Sequence, residues 1–214
     1  MTIAPHPGAG MAAVILAGGA ASRLGGQAKA ALVIDGRRLI DRVRDAAAGA
    51  DPLLLNAPPD LAHLAPDLPC VPDRLPGRPG PAAGVDAAFG WLDDRMHAAT
   101  SLLSLPCDTP FLPADLADRL AAALTPDAEV AIALTKGRRH PVCALWRRHA
   151  APGIARFLAE RPGGSMHDLL LSFRVVEVTV AGEPDPLFNV NTPDDLAHAR
   201  RIVECQGPDA ALDA

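Results

Sequence analysis

The chain has 214 residues, a length that fits one large domain better than two small ones. Its composition, 49% hydrophobic and 21% charged, is typical of a soluble globular protein and excludes an intrinsically disordered chain. A net charge of -5 and an aromatic content of 3% argue against nucleic acid as a partner, because nucleic acids are bound through positive charge and stacking rings.

The predicted elements alternate between short apolar strands and amphipathic helices. Apolar runs that end in glycine, proline or polar residues predict buried strands over 12–17, 31–34, 53–55, 70–71, 101–105, 130–134, 142–146 and 175–180. Apolar positions three and four residues apart predict helices over 39–47, 82–93, 114–123, 148–160, 165–171 and 193–204. Residues 206–214 are expected to form a frayed, disordered tail.

This alternation predicts the fold class. Strands that alternate with amphipathic helices form βαβ units, so we expect an α/β fold with a mostly parallel sheet covered by helices on both faces. No internal repeat is visible, and residues 1–205 are expected to form a single domain. In such sheets ligands bind where the carboxyl ends of the strands meet. The loops that follow the strands are therefore the expected location of the chemistry.

Cysteine usage and hydropathy indicate the compartment. The four cysteines are widely separated and include no Cys-x-x-Cys pair, which favours reduced thiols over a zinc site or a disulfide framework. Residues 1–10 lack the basic start of a secretory signal, and no apolar run is long enough to span a membrane. We therefore expect a cytoplasmic protein without membrane contact.

The loop after the first strand is rich in glycine and carries two cations. It runs from Gly18 and Gly19 past Arg23 to Lys29. Glycine lets the backbone approach a phosphate, so successive N–H groups can line a triphosphate. Only Lys29 and Lys136 are lysines among the 20 basic residues, and a lysine ammonium reaches a phosphate oxygen as a point charge. Because the loop matches neither common nucleotide-binding motif, a merely flexible connection remains the alternative.

A second loop presents an aspartate at the exit of an apolar strand. Asp108 follows the strand over 101–105 and lies between Pro106 and Pro110, which stiffen its backbone. Mg²⁺ binds one or two carboxylates and completes its shell with water and substrate phosphate, so Asp108 is the expected magnesium ligand. The alternative is an aspartate that only forms a turn or caps the next helix.

Other loops carry weaker signals for a base or a ribose. Asn56 ends one predicted strand and Asp73 follows the next, where each is either a ligand contact or an ordinary turn residue. Residues 77–84, which include Pro81 and Gly84, form a rigid loop that opens a helix. Their small side chains would let a planar base lie against the backbone.

The segment before the last helix carries two amides. Asn189 and Asn191 are expected to point the same way from an extended strand, with Thr192 as N-cap of the following helix and Pro193 in its first turn. The two amides either hold a polar ligand or tie the loop. His140 precedes a proline and has no other ligand-type residue near it in sequence, so we assign it no metal or catalytic role.

Three motifs occur together in order: Leu-Ala-Gly-Gly-(x)₂-Ser-Arg-(x)-Gly-Gly-(x)₂-Lys, Cys-Asp-Thr-Pro-Phe-Leu-Pro and Asn-Val-Asn-Thr-Pro-Asp-Asp-Leu. Over residues 12–202 the chain resembles the molybdenum cofactor guanylyltransferases of the nucleotidyltransferase superfamily. The resemblance implies a single Rossmann-like α/β domain, of the GT-A-like kind, that works with Mg²⁺. It also implies transfer of GMP from GTP to the terminal phosphate of molybdenum-bound molybdopterin, with release of pyrophosphate.

The resemblance also assigns roles to residues. The nucleotide would contact the first loop at Leu16, Ala17, Gly18 and Gly19. Arg23 and Lys29 would meet phosphate, and Asp108 would bind both Mg²⁺ and nucleotide. Asn56 and Asp73, beside Pro81 and Gly84, would hold the guanosine. Asn189 and Asn191 would lie on the molybdopterin side.

Two positions depart from the family pattern. Ala28 stands where an acidic residue usually precedes the loop lysine, and residues 162–165 lack the usual arginine, for which Arg161 is the nearest substitute. The resemblance further implies a monomer that makes transient contact with molybdenum-insertion and molybdoenzyme-maturation proteins.

Three other functions remain open from the sequence. A cytidylyltransferase of the same cofactor, or another small-acceptor nucleotidyltransferase, is the nearest alternative, but its loop typically has two alanines before one glycine, whereas this chain has Ala17-Gly18-Gly19. A nucleotide-sugar glycosyltransferase commonly uses Asp-x-Asp, which this sequence lacks. A non-catalytic relative would bind GTP without releasing pyrophosphate.

Overall fold

The computed structural model describes residues 10–18, 23–77 and 80–206. Its centre is a six-stranded sheet. The strands are β1 (Met11–Leu16), β2 (Leu53–Asn56), β3 (Ser101–Pro106), β4 (Val130–Thr135), β5 (Arg138–Arg147) and β6 (Val175–Thr179). Their order in the sheet is β6-β4-β5-β3-β1-β2. The expected α/β sheet is confirmed.

The sheet is parallel except for one strand. β1 pairs in parallel with both β2 and β3, and β4 pairs in parallel with β6. β5 runs antiparallel to both of its neighbours, β3 and β4. It follows β4 through Lys136 and Gly137, whose φ angles of 47° and 75° are those of a tight hairpin turn. A two-residue turn can only reverse the chain, so β5 cannot be parallel to β4.

Helices cover both faces of the sheet. They are α1 (Leu39–Asp45), α2 (Pro81–Asp94), α3 (Leu116–Ala123), α4 (Ala151–Glu160), α5 (Met166–Leu170) and α6 (Pro193–Gln206). Successive side chains of β1 point to opposite faces, so Ile15 joins a core cluster with α1 and α3, whereas Val14 joins another with α2 and α4. The connecting 3₁₀ turns are Lys29–Ala31, Pro59–Leu64 and Arg148–Ala150.

Several predicted elements differ in the structure. The strand over 70–71 is only an isolated bridge between Leu55 and Cys70. The strand over 31–34 is half of a small hairpin, Val33–Ile34 with Arg37–Arg38, that leads directly into α1. No strand forms over 188–191, and the last helix reaches Gln206 instead of Glu204. The expected tail beyond this helix and the segment before Gly10 lie outside the described residues.

β5 contains an irregularity that sequence reasoning missed. Ile132 of β4 lies opposite Ala144, but the next residue, Ala133, lies opposite His140. Residues 141–143 are therefore extra on β5 and form a bulge, where Pro141 is tolerated because its missing N–H leaves no ladder bond broken. Within the bulge, the carbonyl oxygen of Val142 accepts a hydrogen bond from Ser104 Oγ at 2.8 Å.

Candidate active site

A cavity of about 210 Å³ lies at the carboxyl ends of the first three strands. It is lined by residues from the first loop, the Asp108 loop, the start of α2, the β5 bulge and the segment before α6: Leu16, Gly18, Lys29, Asn56, Asp73, Gly80, Pro81, Pro106, Cys107, Asp108, Val142, Asn189 and Asn191. Most of the residues that the sequence singled out are therefore brought together at the expected edge of the sheet.

The other predicted residues lie close to this cavity, line a different cavity, or fall outside the residues that the structure describes. Ala17 is buried, and its backbone N–H donates to the carbonyl oxygen of Asn56 at 2.8 Å. Gly84 is buried directly behind the cavity wall. Gly19 lies outside the described residues, and the position of the Arg23 side chain is likewise not described. Arg161 lines a different cavity, between α4 and α5.

Lys29 and Asp108 form an ion pair at the centre of the cavity. Lys29 Nζ lies 3.0 Å from Asp108 Oδ2 and donates a second hydrogen bond of 2.6 Å to Asn191 Oδ1. The Lys29 side chain is 4% exposed and the Asp108 side chain 16%. A buried ammonium is tolerated only when it is paired, so these contacts fix the Lys29 side chain. The first loop and the Asp108 loop thus face one cleft.

Asn56 anchors the other end of the cavity. Its Nδ2 donates to the carbonyl oxygen of Val71 and to Asp73 Oδ1, both at 2.9 Å. Its Oδ1 faces α2, where a Cβ on Gly84 would lie only 2.3 Å away. Glycine is therefore required at position 84 for the helix to pack this closely against Asn56. Both the Asp73 carboxylate and Asn56 Oδ1 are hydrogen-bond acceptors.

The segment before α6 is fastened to the Asp108 loop, although it is not a strand. Val190 N–H donates to the Asp108 carbonyl oxygen at 2.8 Å, and Thr109 Oγ donates to Asn189 Oδ1 at 3.1 Å. Asp195 Oδ2 accepts from the backbone N–H groups of Asn191 and Thr192 at 2.9 and 2.8 Å. These bonds, that of Asn191 first, lower the pKa of Asp195. The segment therefore brings both amides to the cavity.

The donors around Asp108 suit a hard cation. Burial, followed by the nearby Asp108 charge, raises the pKa of Cys107 to about 12, so this thiol stays protonated at neutral pH in the metal-free protein. The other donors beside it are carboxylate and amide oxygens, which Mg²⁺ prefers. In the described parts of the chain no group of three or more His, Cys, Asp or Glu residues surrounds a common point. These residues fit Mg²⁺ bound by Asp108 together with substrate phosphate.

A second cavity, of about 440 Å³, adjoins the first and was not anticipated from the sequence. Asn189 and Asn191 line both cavities. The far walls of the second cavity include His140, from β5, and Lys136, from the turn before it. The strand predicted over 142–146 begins at Arg138 in the structure, so Pro141 lies within β5, where a proline indicates a bulge or an edge.

Comparisons with known proteins agree with this geometry. The model of the MobA-like NTP transferase domain matches residues 13–204. A molybdenum cofactor guanylyltransferase of Rhodopseudomonas palustris (strain BisB5) is 41% identical over 206 residues, covering 94% of this chain and 97% of the relative. Another, of Rhizobium johnstonii, is 38% identical over 200 residues, covering 91% and 93%.

Solved structures show the same fold at lower identity. The crystal structure of molybdopterin-guanine dinucleotide biosynthesis protein A from Archaeoglobus fulgidus has a TM-score of 0.71 at 22% identity, covering 90% of this chain and 97% of that one. A 4-diphosphocytidyl-2C-methyl-D-erythritol synthase from Anaerococcus prevotii also has a TM-score of 0.71, at 15% identity, with coverage of 91% and 96%. Because the family model spans nearly the whole described chain, this protein belongs to the MobA-like NTP transferase family.

Proposed function

We propose that this protein transfers GMP from GTP to the terminal phosphate of molybdenum-bound molybdopterin, forming the guanine dinucleotide cofactor and pyrophosphate. The observation that carries the proposal is the single cavity in which Lys29 and Asp108 meet while Asn56 and Asp73 line the opposite end. The proposal is also supported by the 41% sequence identity between this chain and a protein named molybdenum cofactor guanylyltransferase.

At the end of the cavity that contains Lys29 and Asp108, the protein positions the substrate phosphates and neutralises their charge. We place the triphosphate against Gly18 and Lys29, with Arg23 as a second cation. Lys29 neutralises phosphate charge and accompanies the leaving pyrophosphate, while the acceptor phosphate attacks the α-phosphorus in line. Asp108 holds Mg²⁺, which supplies further charge neutralisation when it is bound. Nucleotidyl transfer of this kind needs no protein nucleophile.

The base end selects guanine through acceptor atoms. The Watson–Crick edge of guanine carries two neighbouring N–H donors, and Asp73 with Asn56 Oδ1 offers acceptors to them. Cytosine presents acceptor atoms at the corresponding positions, and these would face the carboxylate without a proton between them. Such a mismatch rejects a base because buried polar groups are left unpaired.

We extend the proposal to the protein's surroundings. We place the enzyme in the cytoplasm as a monomer that contacts molybdenum-insertion and molybdoenzyme-maturation proteins transiently. In support, Cys70, Cys107, Cys143 and Cys205 are free thiols, as expected in a reducing compartment. Among the described helices, none has the length and hydropathy needed to cross a bilayer.

The test is pyrophosphate release with each of the four ribonucleoside triphosphates, with and without molybdenum-bound molybdopterin, before and after removal of Mg²⁺ by a chelator. We expect release only with GTP, acceptor and Mg²⁺ together. Release with CTP instead would identify a cytidylyltransferase. GTP binding without any release would identify a non-catalytic relative, and consumption of a nucleotide sugar would identify a glycosyltransferase.

A further inference from the structure

The hydrogen-bond ladder between β3 and β5 lacks a donor where it reaches the cavity. Arg148 N–H donates to the Thr100 carbonyl oxygen at 2.8 Å, which marks a bonded pair just before the ladder begins. Bonded pairs recur at every second position of an antiparallel ladder, so continuing this register would make Pro106 and Val142 a bonded pair. Proline has no N–H, and the ladder therefore offers no donor to the Val142 carbonyl oxygen.

The side chain of Ser104 takes the place of this missing donor. Ser104 Oγ donates to the Val142 carbonyl oxygen at 2.8 Å and lies 3.3 Å from that of Ala144. The same Oγ accepts a hydrogen bond of 3.0 Å from Trp146 Nε1. Ser104 and Trp146 are both 0% exposed. Because an indole N–H can only donate, it directs the single proton of the hydroxyl towards the backbone carbonyls, of which that of Val142 is closer.

This hydrogen bond joins the two sides of an opening in the sheet. β3 and β5 separate at the bulge over 141–143, and Pro106 and Val142, one from each strand, both line the cavity that contains Lys29 and Asp108. Since the ladder cannot supply a substitute, loss of the Ser104 hydroxyl would leave the carbonyl of Val142 without this bond. The bulge, and Val142 with it, is then expected to shift in the cavity wall.

We infer that Ser104 is a positioning residue for nucleotidyl transfer, whose hydroxyl holds the β5 bulge so that Val142 forms part of the same cavity wall as Asp108. The inference rests on the proposed function, which supplies the reaction. In-line transfer needs the reacting groups close together and aligned, and a displacement of about 1 Å can lower the rate about 100-fold. Ser104 is fully buried, so it acts through Val142 and not on the substrates directly.

The test compares Ser104→Ala with Trp146→Phe, which removes the indole N–H but leaves the Ser104 hydroxyl to bond to Val142. Each substitution removes a buried hydrogen bond, so both should lower Tm by several degrees. At a temperature at which both variants are folded, we expect Ser104→Ala to lower kcat for pyrophosphate release about tenfold or more and Trp146→Phe to stay within about twofold. A purely structural role of Ser104 would lower Tm in both variants and leave both kcat values near that of the wild type.

A double-mutant cycle tests whether the effect passes through Val142. Val142→Ala removes the wall contact itself, so adding Ser104→Ala in that background should lower kcat by less than about threefold. Hydrogen exchange over residues 142–144, which needs no substrate, should be faster in Ser104→Ala than in Trp146→Phe.

The outcomes separate this inference from the proposed function. An unchanged kcat of Ser104→Ala, an equal loss in both backgrounds of the cycle, or equal exchange in the two variants would overturn the role of Ser104 alone. No pyrophosphate release by the wild type with GTP and acceptor would overturn the proposed function, and this role with it.

Discussion

At the scale of single residues, the contact between Lys29 and Asp108 dominates the site. The two side chains come from segments 79 residues apart, and each neutralises the other in a cavity where Lys29 is 4% exposed. Each side chain therefore stays in the cavity in the absence of substrate, paired with the other. In the proposed reaction, substrate phosphate and a cation would take the place of these mutual contacts.

Asp108→Asn is expected to lower turnover at least about 100-fold, because the variant would lose the proposed metal ligand and a charge near the proposed phosphate site. It should also lower the free energy of unfolding by about 1 to 3 kcal/mol, since the buried Lys29 ammonium loses its counter-charge. Steady-state kinetics and denaturant unfolding measure the two effects.

The control for this substitution is Asp115→Asn. Asp115 pairs with Arg119, but its side chain is 53% exposed, so we expect a change below about 1 kcal/mol and normal turnover. Near-normal activity of Asp108→Asn at saturating Mg²⁺ would remove Asp108 from the proposed role.

At the scale of elements, the start of α6 positions Asn191 in the wall of the cavity, on the side proposed for the acceptor. Thr192 Oγ accepts a hydrogen bond from Asp195 N–H at 3.1 Å, and Asp195 Oδ2 in turn accepts from Thr192 N–H and Asn191 N–H. This reciprocal cap satisfies N–H groups that a helix start leaves unpaired. The same bonds hold Asn191, whose Oδ1 receives a hydrogen bond from Lys29.

Thr192→Ala should lower the free energy of unfolding by about 1 kcal/mol through loss of the cap. A matched control is Ser165→Ala, which removes the equivalent cap of α5, where Ser165 and Asp168 form the same reciprocal bonds. Both variants should lose similar stability in denaturant unfolding. We expect only Thr192→Ala to lower kcat/KM for the acceptor, because the cap at Thr192 holds Asp195, which binds Asn191 in the cavity wall, whereas Ser165 and Asp168 line neither cavity. If kcat/KM for the acceptor fell equally in both variants, or in neither, the cap of α6 would matter only for stability.

At the scale of the whole molecule, the order and type of most secondary-structure elements could be predicted from the sequence. Fully apolar runs such as 130–134 predicted buried strands, and the apolar stripe of 82–93 predicted α2, because hydrophobic periodicity reflects burial directly. The direction of β5 was not predictable in the same way, since apolar periodicity is identical in parallel and antiparallel strands. The pattern at 70–71 was too short to distinguish a strand from a single bridge.

The site was predicted less completely than the fold. Asp108, Lys29 and Asn56 stand out because they follow strands or glycines, and strand ends converge at one edge of the sheet. Their mutual contacts depend on side-chain geometry between distant segments, which spacing along the chain does not encode. His140 was set aside because no ligand-type residue lies near it in sequence. Its neighbourhood is created by the bulge at 141–143 and by the segment before α6.

Binding of GTP should stabilise the whole molecule. At a concentration about 100 times its Kd, a ligand adds about 2.7 kcal/mol, which corresponds to a Tm increase of roughly 5 to 10 °C for a domain of this size. We expect GTP with Mg²⁺ to raise Tm in a thermal-shift titration and CTP to do so much less. An equal or larger shift with CTP would contradict the base-selection argument.

Gly84→Ala and Gly90→Ala provide a matched pair for this titration, since both lie on α2. A Cβ at position 84 collides with the buried Asn56 amide, whereas one at position 90 meets only the flexible end of the Arg74 side chain. Gly84→Ala should therefore lose most of the increase in Tm that GTP produces, and Gly90→Ala should keep it.

The two lysines offer very different access to chemical reagents. Lys29 is enclosed by its ion pair, while the Lys136 side chain is 63% exposed at the rim of the second cavity. Once the α-amino group, which also reacts with such reagents, has been blocked, an amine-reactive fluorophore would attach to the Lys136 side chain and leave Lys29 unmodified. Such a label would report directly on events at the cavity mouth without any engineered cysteine.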